Sequence, residues 1–165
     1  MKSNRDYSIV WRRLNSRVID SKAKDVLFLL VHNKLPVKER LFRIGLRHDP
    51  YCLKCEGAEV HDIVHFFCYC DAVSNTWSWV KRQVVQLGQM GAGADDWEII
   101  NLLFTNSSHD TEIVWLVSYY VLYVWEMVQI KKLEVKLDKF FGFMTFKYKM
   151  QQTTSQDQLQ NLHYT

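Results

Sequence analysis

No cysteine lies outside residues 52 to 70, and no stretch alternates apolar and polar residues persistently enough to predict a sheet. Internal repeats are lacking too. No Ser/His/Asp constellation, phosphate-cradling glycine loop or isolated carboxylate pair occurs, so the sequence predicts no enzyme. The longest apolar stretch, IVWLVSYYVLYVWEMVQI from Ile113 to Ile130, meets a charge at Glu126 after thirteen uncharged residues. That run is shorter than the roughly 20 apolar residues of a membrane span. Its tyrosines and tryptophans suit a buried helix whose polar tips find partners, so no membrane partner is expected. The opening MKSNRDYS is polar and leads into no apolar run. A secretory signal is therefore not expected, and the chain is read as intracellular, nuclear or cytoplasmic, and not secreted. In a reducing compartment its cysteines are better suited to a metal than to disulfides.

What is present is enough apolar material for one domain: 48% of the 165 residues are hydrophobic and 24% charged. Charge is unevenly spread. Residues 1–49 hold 12 Lys/Arg against 5 Asp/Glu, whereas residues 50–112 hold 3 against 9. A surplus of this kind in one segment points to an anionic partner, and nucleic acid, RNA or DNA, is the commonest.

Helical spacing dominates the pattern. Ile9, Val10, Leu14 and Val18 recur at helical intervals with Arg12, Arg13 and Arg17 between them. Asp20 and Ser21 suit the N-cap of a second helix with Ala23, Val26, Leu27, Leu30 and Val31 on its apolar face. Leu35-Pro36 breaks that pattern and opens a third helix, in which Val37, Leu41 and Ile44 share one face and Arg40, Arg43 and Arg47 another. Gly45 is placed to stop it. A fourth helix is expected from Trp77 through Leu87, and Asp95 is expected to cap a short fifth. A long helix is predicted from about Asp110 to about Phe140. Ile130, Leu133, Leu137, Phe140 and Met144 continue at coiled-coil-like steps, over too few heptads to predict dimerisation. The fold expected is mainly α. Its parts are a basic helical segment (1–50), a metal-binding segment (51–80), a helical part packed on them (81–150) and a disordered tail (151–165).

Residues 52–70, CLKCEGAEVHDIVHFFCYC, offer six metal ligands. Cys52 and Cys55 have the Cys-x2-Cys spacing whose tight turn brings two sulfurs to one side, and zinc favours four thiolates and imidazoles in a tetrahedron. Spacing leaves the second pair open among His61, His65, Cys68 and Cys70. On a helix, positions 61, 65 and 68 share a face, and Cys70 joins them only if the helix ends first.

The run FLLVHNKLPVKERLFRIGL, then CLKC, HFFCYC and DAVSNTW, resembles the zinc-binding domain at the C-terminal end of many non-LTR retrotransposon reverse transcriptases. Phe28 stands where the family often has Trp, His32, Leu35, Pro36, Leu41, Gly45 and Trp77 fall on its pattern, and the resemblance spans about residues 9–80. It implies that Cys52, Cys55, His65 and Cys70 hold a structural Zn2+. His61 stands where the family commonly has Glu and Cys68 where it usually has an aliphatic or polar residue, leaving both as alternate ligands. The chain holds no polymerase motif: Gly93-Ala94-Asp95-Asp96 imitates the catalytic turn but lacks its aromatic and follows the zinc region.

The expected function is a non-catalytic, retrotransposon-derived zinc-binding domain that binds RNA or DNA. The surface expected to meet it comprises Arg12, Arg13, Arg17, Lys34, Lys38, Arg40, Arg43 and Arg47, extended by Lys22 and Lys24. The alternatives are a zinc-stabilised protein-interaction or self-association module using the long aromatic helix, and a non-functional remnant of a reverse transcriptase.

Overall fold

The computed structural model describes residues 7–56, 59–91 and 93–163, with side chains to residue 152. Helices account for the fold as expected: α1 Ser8–Leu14, α2 Ser21–Val31, α3 Lys38–Arg43, α4 Ser74–Gly88, α5 Asp96–Ile100, α6 Asp110–Val124 and α7 Leu137–His163. Among the described residues, π-helical segments at His65–Tyr69 and Trp125–Ile130 interrupt the series. Among the described residues no strand forms, and a single antiparallel bridge joins Tyr51 to Val60.

The helix boundaries follow local chemistry. The Asp20 carboxylate accepts from the Lys22 N–H at 2.8 Å and starts α2, and Asp95 accepts from Trp97 N–H at 2.9 Å to start α5. Beyond α3, Gly45 takes φ +81°, a left-handed conformation that a glycine adopts without a Cβ clash.

Helix α6 is the centre of the molecule. Every residue from Leu116 through Val124 is buried, and α2, α4, α5 and α7 pack around it. Tyr119, Tyr120 and Tyr123 are fully buried, and each hydroxyl is satisfied. Tyr119 accepts from Gln151, Tyr120 donates to the Phe67 carbonyl, and Tyr123 bonds the backbone of Lys136. Asp110–Ile130 together make 21 helical residues with a hydropathy of 1.4, long and apolar enough by those measures to cross a membrane. The uncharged run alone understated this length, because the helix carries on past Glu126. In this fold the segment is the core helix.

The helix predicted from Asp110 to Phe140 is divided. Regular α-geometry ends at Val124, the π segment follows, and Lys132 turns left-handed at φ +56°. The chain then reverses so that Phe140 buries against the rings of Tyr120 and Tyr123, with centroids 5.8 and 5.3 Å away. Packing against α6 outweighs the heptad-like spacing, and the stripe splits. Ile130 and Leu133 are left exposed while Phe140 is fully buried. Helix α7 also continues to His163, through most of the segment read as a disordered tail. That segment has no glycine or proline to stop a helix, and its glutamines and leucines tolerate helical geometry.

Arg13, placed by the sequence on a nucleic-acid surface, lies instead in the core at 2% exposure. Its guanidinium spans Asp110 in a two-pronged ion pair of 3.1 and 2.5 Å and donates to the carbonyls of Leu102 and Phe104 at 2.6 and 2.7 Å. It also lies 3.7 Å from the centroid of the Phe104 ring. An arginine among apolar residues at helical spacing reads as a charged outer face, yet the rigid planar fork can join distant carbonyls and a carboxylate inside a protein. Arg13→Ala should therefore lower unfolding free energy by about 3–5 kcal/mol in urea titration of the zinc-loaded protein. A loss within about 0.5 kcal/mol, as for a solvated arginine, would show that this network is not formed.

Candidate metal centre

Cys52, Cys55, His65 and Cys70 come together, with their ligand atoms all within 4.8 Å of one another. The sulfurs of Cys52 and Cys70 lie 3.8 Å apart, those of Cys55 and Cys70 4.0 Å, and Cys55 Sγ is 3.5 Å from His65 Nε2. A tetrahedral zinc with Zn–S near 2.3 Å and Zn–N near 2.0–2.1 Å has S–S edges of ~3.8 Å and S–N edges of ~3.6 Å. The donor set and its spacing both fit zinc.

Two local devices bring distant positions to one point. The Cys52 N–H donates to the Glu59 carbonyl and the His61 N–H to the Pro50 carbonyl, each at 2.8 Å, so the Cys-x2-Cys turn is clamped to the strand-like segment leading to His65. The second device is the π-helical turn. An ideal α-helix advances ~100° per residue, which carries a residue five places on well round from its start. Here the Cys70 N–H donates to the His65 carbonyl at 2.8 Å, an i→i+5 bond, and the widened turn returns Cys70 above His65. Cys68 thereby points away from the ligands into the apolar core at 2% exposure, where burial pushes its thiol pKa far upward. It is not among the ligand atoms that converge.

His61, the other alternate, also stands outside the cluster and has a different task. Its Nδ1 accepts from the Lys38 N–H at 3.3 Å and its carbonyl from the Glu39 N–H at 3.1 Å, so it fastens the first turn of α3 to the metal loop. Burial, followed by the charges of His65 and Lys38, pushes its pKa down to about 4, which keeps the ring neutral as an acceptor must be.

Glu59 is a functional residue that sequence reasoning missed. Its Oε2 lies 3.1 Å from His65 Nδ1. A carboxylate there holds the Nδ1–H tautomer and aims the Nε2 lone pair at the metal. The sequence signal was obscured because the family's Glu position is filled by His61, two places later.

The electrostatics ask for a cation. Burial, only partly opposed by the Ala72 N–H and reinforced by Cys52, pushes the Cys70 pKa up to about 12. At Cys55 the Asp71 N–H favours the thiolate, but burial and the neighbouring Cys52 raise the pKa on balance. Clustered thiols therefore resist ionising alone, and a bound divalent ion reverses that preference. All four positions come from the protein, which leaves no open position for water, as in a structural site.

Of the predicted nucleic-acid residues, Arg12, Arg17, Lys34, Arg43 and Arg47 are exposed, and Lys38 and Arg40 are half-buried. Lys38 donates to the Tyr51 carbonyl at 2.9 Å and Arg40 to the Asn33 carbonyl at 3.3 Å, while Arg43 pairs with Glu39 at 3.3 Å. Arg13 is excluded by its burial.

Residues 1–77 match the family model described as zinc-binding in reverse transcriptase. No curated protein and no solved structure matches the chain. The matched segment contains all four ligands and ends at Trp77, whose Nε1 donates to Asp96 beyond it at 3.0 Å.

Metal analysis should find Cys70→Ser without stoichiometric zinc and Cys68→Ser with it. The reverse pattern would overturn the ligand assignment. Because thiols must lose protons to bind, zinc affinity should fall as pH is lowered. Glu59→Gln should weaken affinity by about 10–100-fold in a chelator competition, and an unchanged affinity would remove Glu59 from the site's support.

Proposed function

We propose that this reverse-transcriptase-type zinc-binding segment serves as a non-catalytic, nucleic-acid-binding module inside the cell, with zinc fixing the position of a basic helical surface. The observation that carries the reading is the coupling of α3 to the zinc loop. His61 bonds the first two N–H groups of α3, Lys38 reaches the Tyr51 carbonyl, and Cys52 follows Tyr51 directly. Arg43 and Arg47, at and just beyond the end of this helix, are exposed, as are Lys34 before it and Arg12 and Arg17 near α1. Among the described residues, Arg12, Arg17, Lys34 and Arg47 face no carboxylate within ion-pair distance, which leaves their charges to solvent and to phosphate.

Phosphate contacts by Lys and Arg release counterions, so affinity depends steeply on salt and weakly on sequence. The closed ligand set gives zinc no role in activating water, consistent with a non-catalytic part.

A second reading has its own observation. Ile130 and Leu133 are 65% and 55% exposed, and Phe146, Tyr148 and Met150 on α7 are more than half exposed. Apolar residues left in solvent in this way suit a protein partner or a second copy. Sedimentation of the zinc-loaded chain tests it: a dimer at micromolar concentration favours it, a monomer counts against self-association.

Binding to a short RNA or DNA should weaken on the order of 10²–10³-fold between about 50 and 200 mM salt if about five or six phosphates are contacted. Lys34→Ala and Arg47→Ala should each reduce the slope of log affinity against log salt by about 1. Absence of binding at the lower salt concentration would refute the reading.

A further inference from the structure

Three rings on the outside of α1 and α2 lie together where neither helix needs them for the core. Trp11 is 41% exposed although its neighbours Val10, Arg13 and Leu14 form the buried face of α1. Phe28 is 51% exposed on the face of α2 opposite Leu27 and Leu30, and His32 follows it by one helical turn. The ring centroids are 4.2 Å apart for Phe28 and His32, 5.3 Å for Trp11 and His32, and 6.4 Å for Trp11 and Phe28. His32 Nδ1 lies 2.7 Å from the Phe28 carbonyl. With Nδ1–H donating there, the imidazole is held against Phe28. Tyr7, one turn before Trp11 on the same helical face, is also exposed.

Basic residues flank these rings along the chain. Arg12 adjoins Trp11, Lys24 lies one turn before Phe28 and Lys34 follows His32, with Asp25 the acidic residue on this part of α2. Aromatic faces bordered by lysine and arginine match the two parts of an unpaired strand, bases for stacking and phosphates for charge. A stacked duplex keeps its base faces covered and gains nothing from such rings. Exposed rings for base faces, with lysine and arginine nearby in sequence for phosphates, together fit an unpaired strand.

We propose that Trp11, Phe28 and His32 form a stacking platform for the bases of single-stranded RNA or DNA. The proposal rests on the nucleic-acid reading above and adds to it which form of nucleic acid is held and by which side chains. The phosphates would follow Arg12, Lys24 and Lys34, while unpaired bases lie on the rings. Preference would be for unpaired over paired strands, with little dependence on base identity, because every base offers a flat face.

The test measures fluorescence anisotropy with the zinc-loaded full chain and three probes of similar length: a labelled pyrimidine single strand, a duplex, and an abasic strand with the same phosphates. The single strand should bind more tightly than the other two. Trp11→Ala and Phe28→Ala should each weaken it about tenfold or more. Their salt slope should stay unchanged, in contrast to Lys34→Ala, and the abasic strand should be insensitive to both variants. Trp11→Phe should retain most of the affinity, and zinc content should be unchanged throughout. Equal binding of single strand and abasic strand by the natural protein would overturn the platform while leaving phosphate-based binding intact. No binding of any probe at low salt would overturn the nucleic-acid reading itself. Variants that leave strand affinity unchanged but abolish self-association in sedimentation would assign the rings to a protein contact and also overturn the proposal.

Discussion

The i→i+5 turn that sets Cys70 above His65 is the constraint on which the rest of the zinc segment depends. Without it, α-helical rotation would carry Cys70 away and aim another side chain at the metal. With it, three sulfurs and one imidazole converge at tetrahedral spacing, and the ion supplies the charge that permits buried thiols to ionise. The strand-like pairing of residues 50–52 with 59–61 and the His61 bonds to α3 are fastened to the same point. Zinc therefore fixes more than its own loop. It orients the segment from Lys38 to Arg47, which carries the exposed Arg43 and Arg47.

The structure does not stop where the family match stops. The Asp96 carboxylate accepts from Tyr69 at 2.8 Å, Trp77 at 3.0 Å and Lys81 at 2.9 Å, and these bonds, despite the cost of burial, hold its pKa down. Tyr120 on α6 reaches the carbonyl of Phe67 within the π turn, and Arg13 on α1 grips Asp110 at the head of α6. Residues 1–77 thus leave polar groups and apolar faces that the later helices complete. Since an unpaired buried arginine or carboxylate is costly, the zinc segment and α6 gain stability from each other.

Much of this was legible in the sequence, and the reasons for success and failure are specific. Capping by Asp20 and Asp95, the stop at Gly45 and the four converging ligands depend on local chemistry, with the ligand choice resting on the reverse-transcriptase resemblance rather than spacing. Cys68 stayed open as an alternate because helical periodicity assumes 3.6 residues per turn, and the turn containing it is wider. Arg13 misled because its partners lie about 90 and 97 residues away in sequence, at Leu102, Phe104 and Asp110. The break at Lys132 was hidden for the same reason. The heptad-like spacing through Leu133 and Leu137 says nothing of the reversal that lets Phe140 reach Tyr120 and Tyr123.

The exposed aromatic group of Trp11, Phe28 and His32 was likewise visible only as separate letters until α1 and α2 were set side by side. The pattern fits a division of labour, with the ligand cluster and α6 at the buried centre and the N-terminal helices presenting charge and rings on the surface. The central claim, a closed Cys3His zinc site, is tested most directly by X-ray absorption at the zinc edge of the metal-loaded chain. The account predicts three sulfur scatterers near 2.3 Å and one nitrogen near 2.0 Å with no oxygen ligand. A bound water, or a shell with two sulfurs, would contradict it.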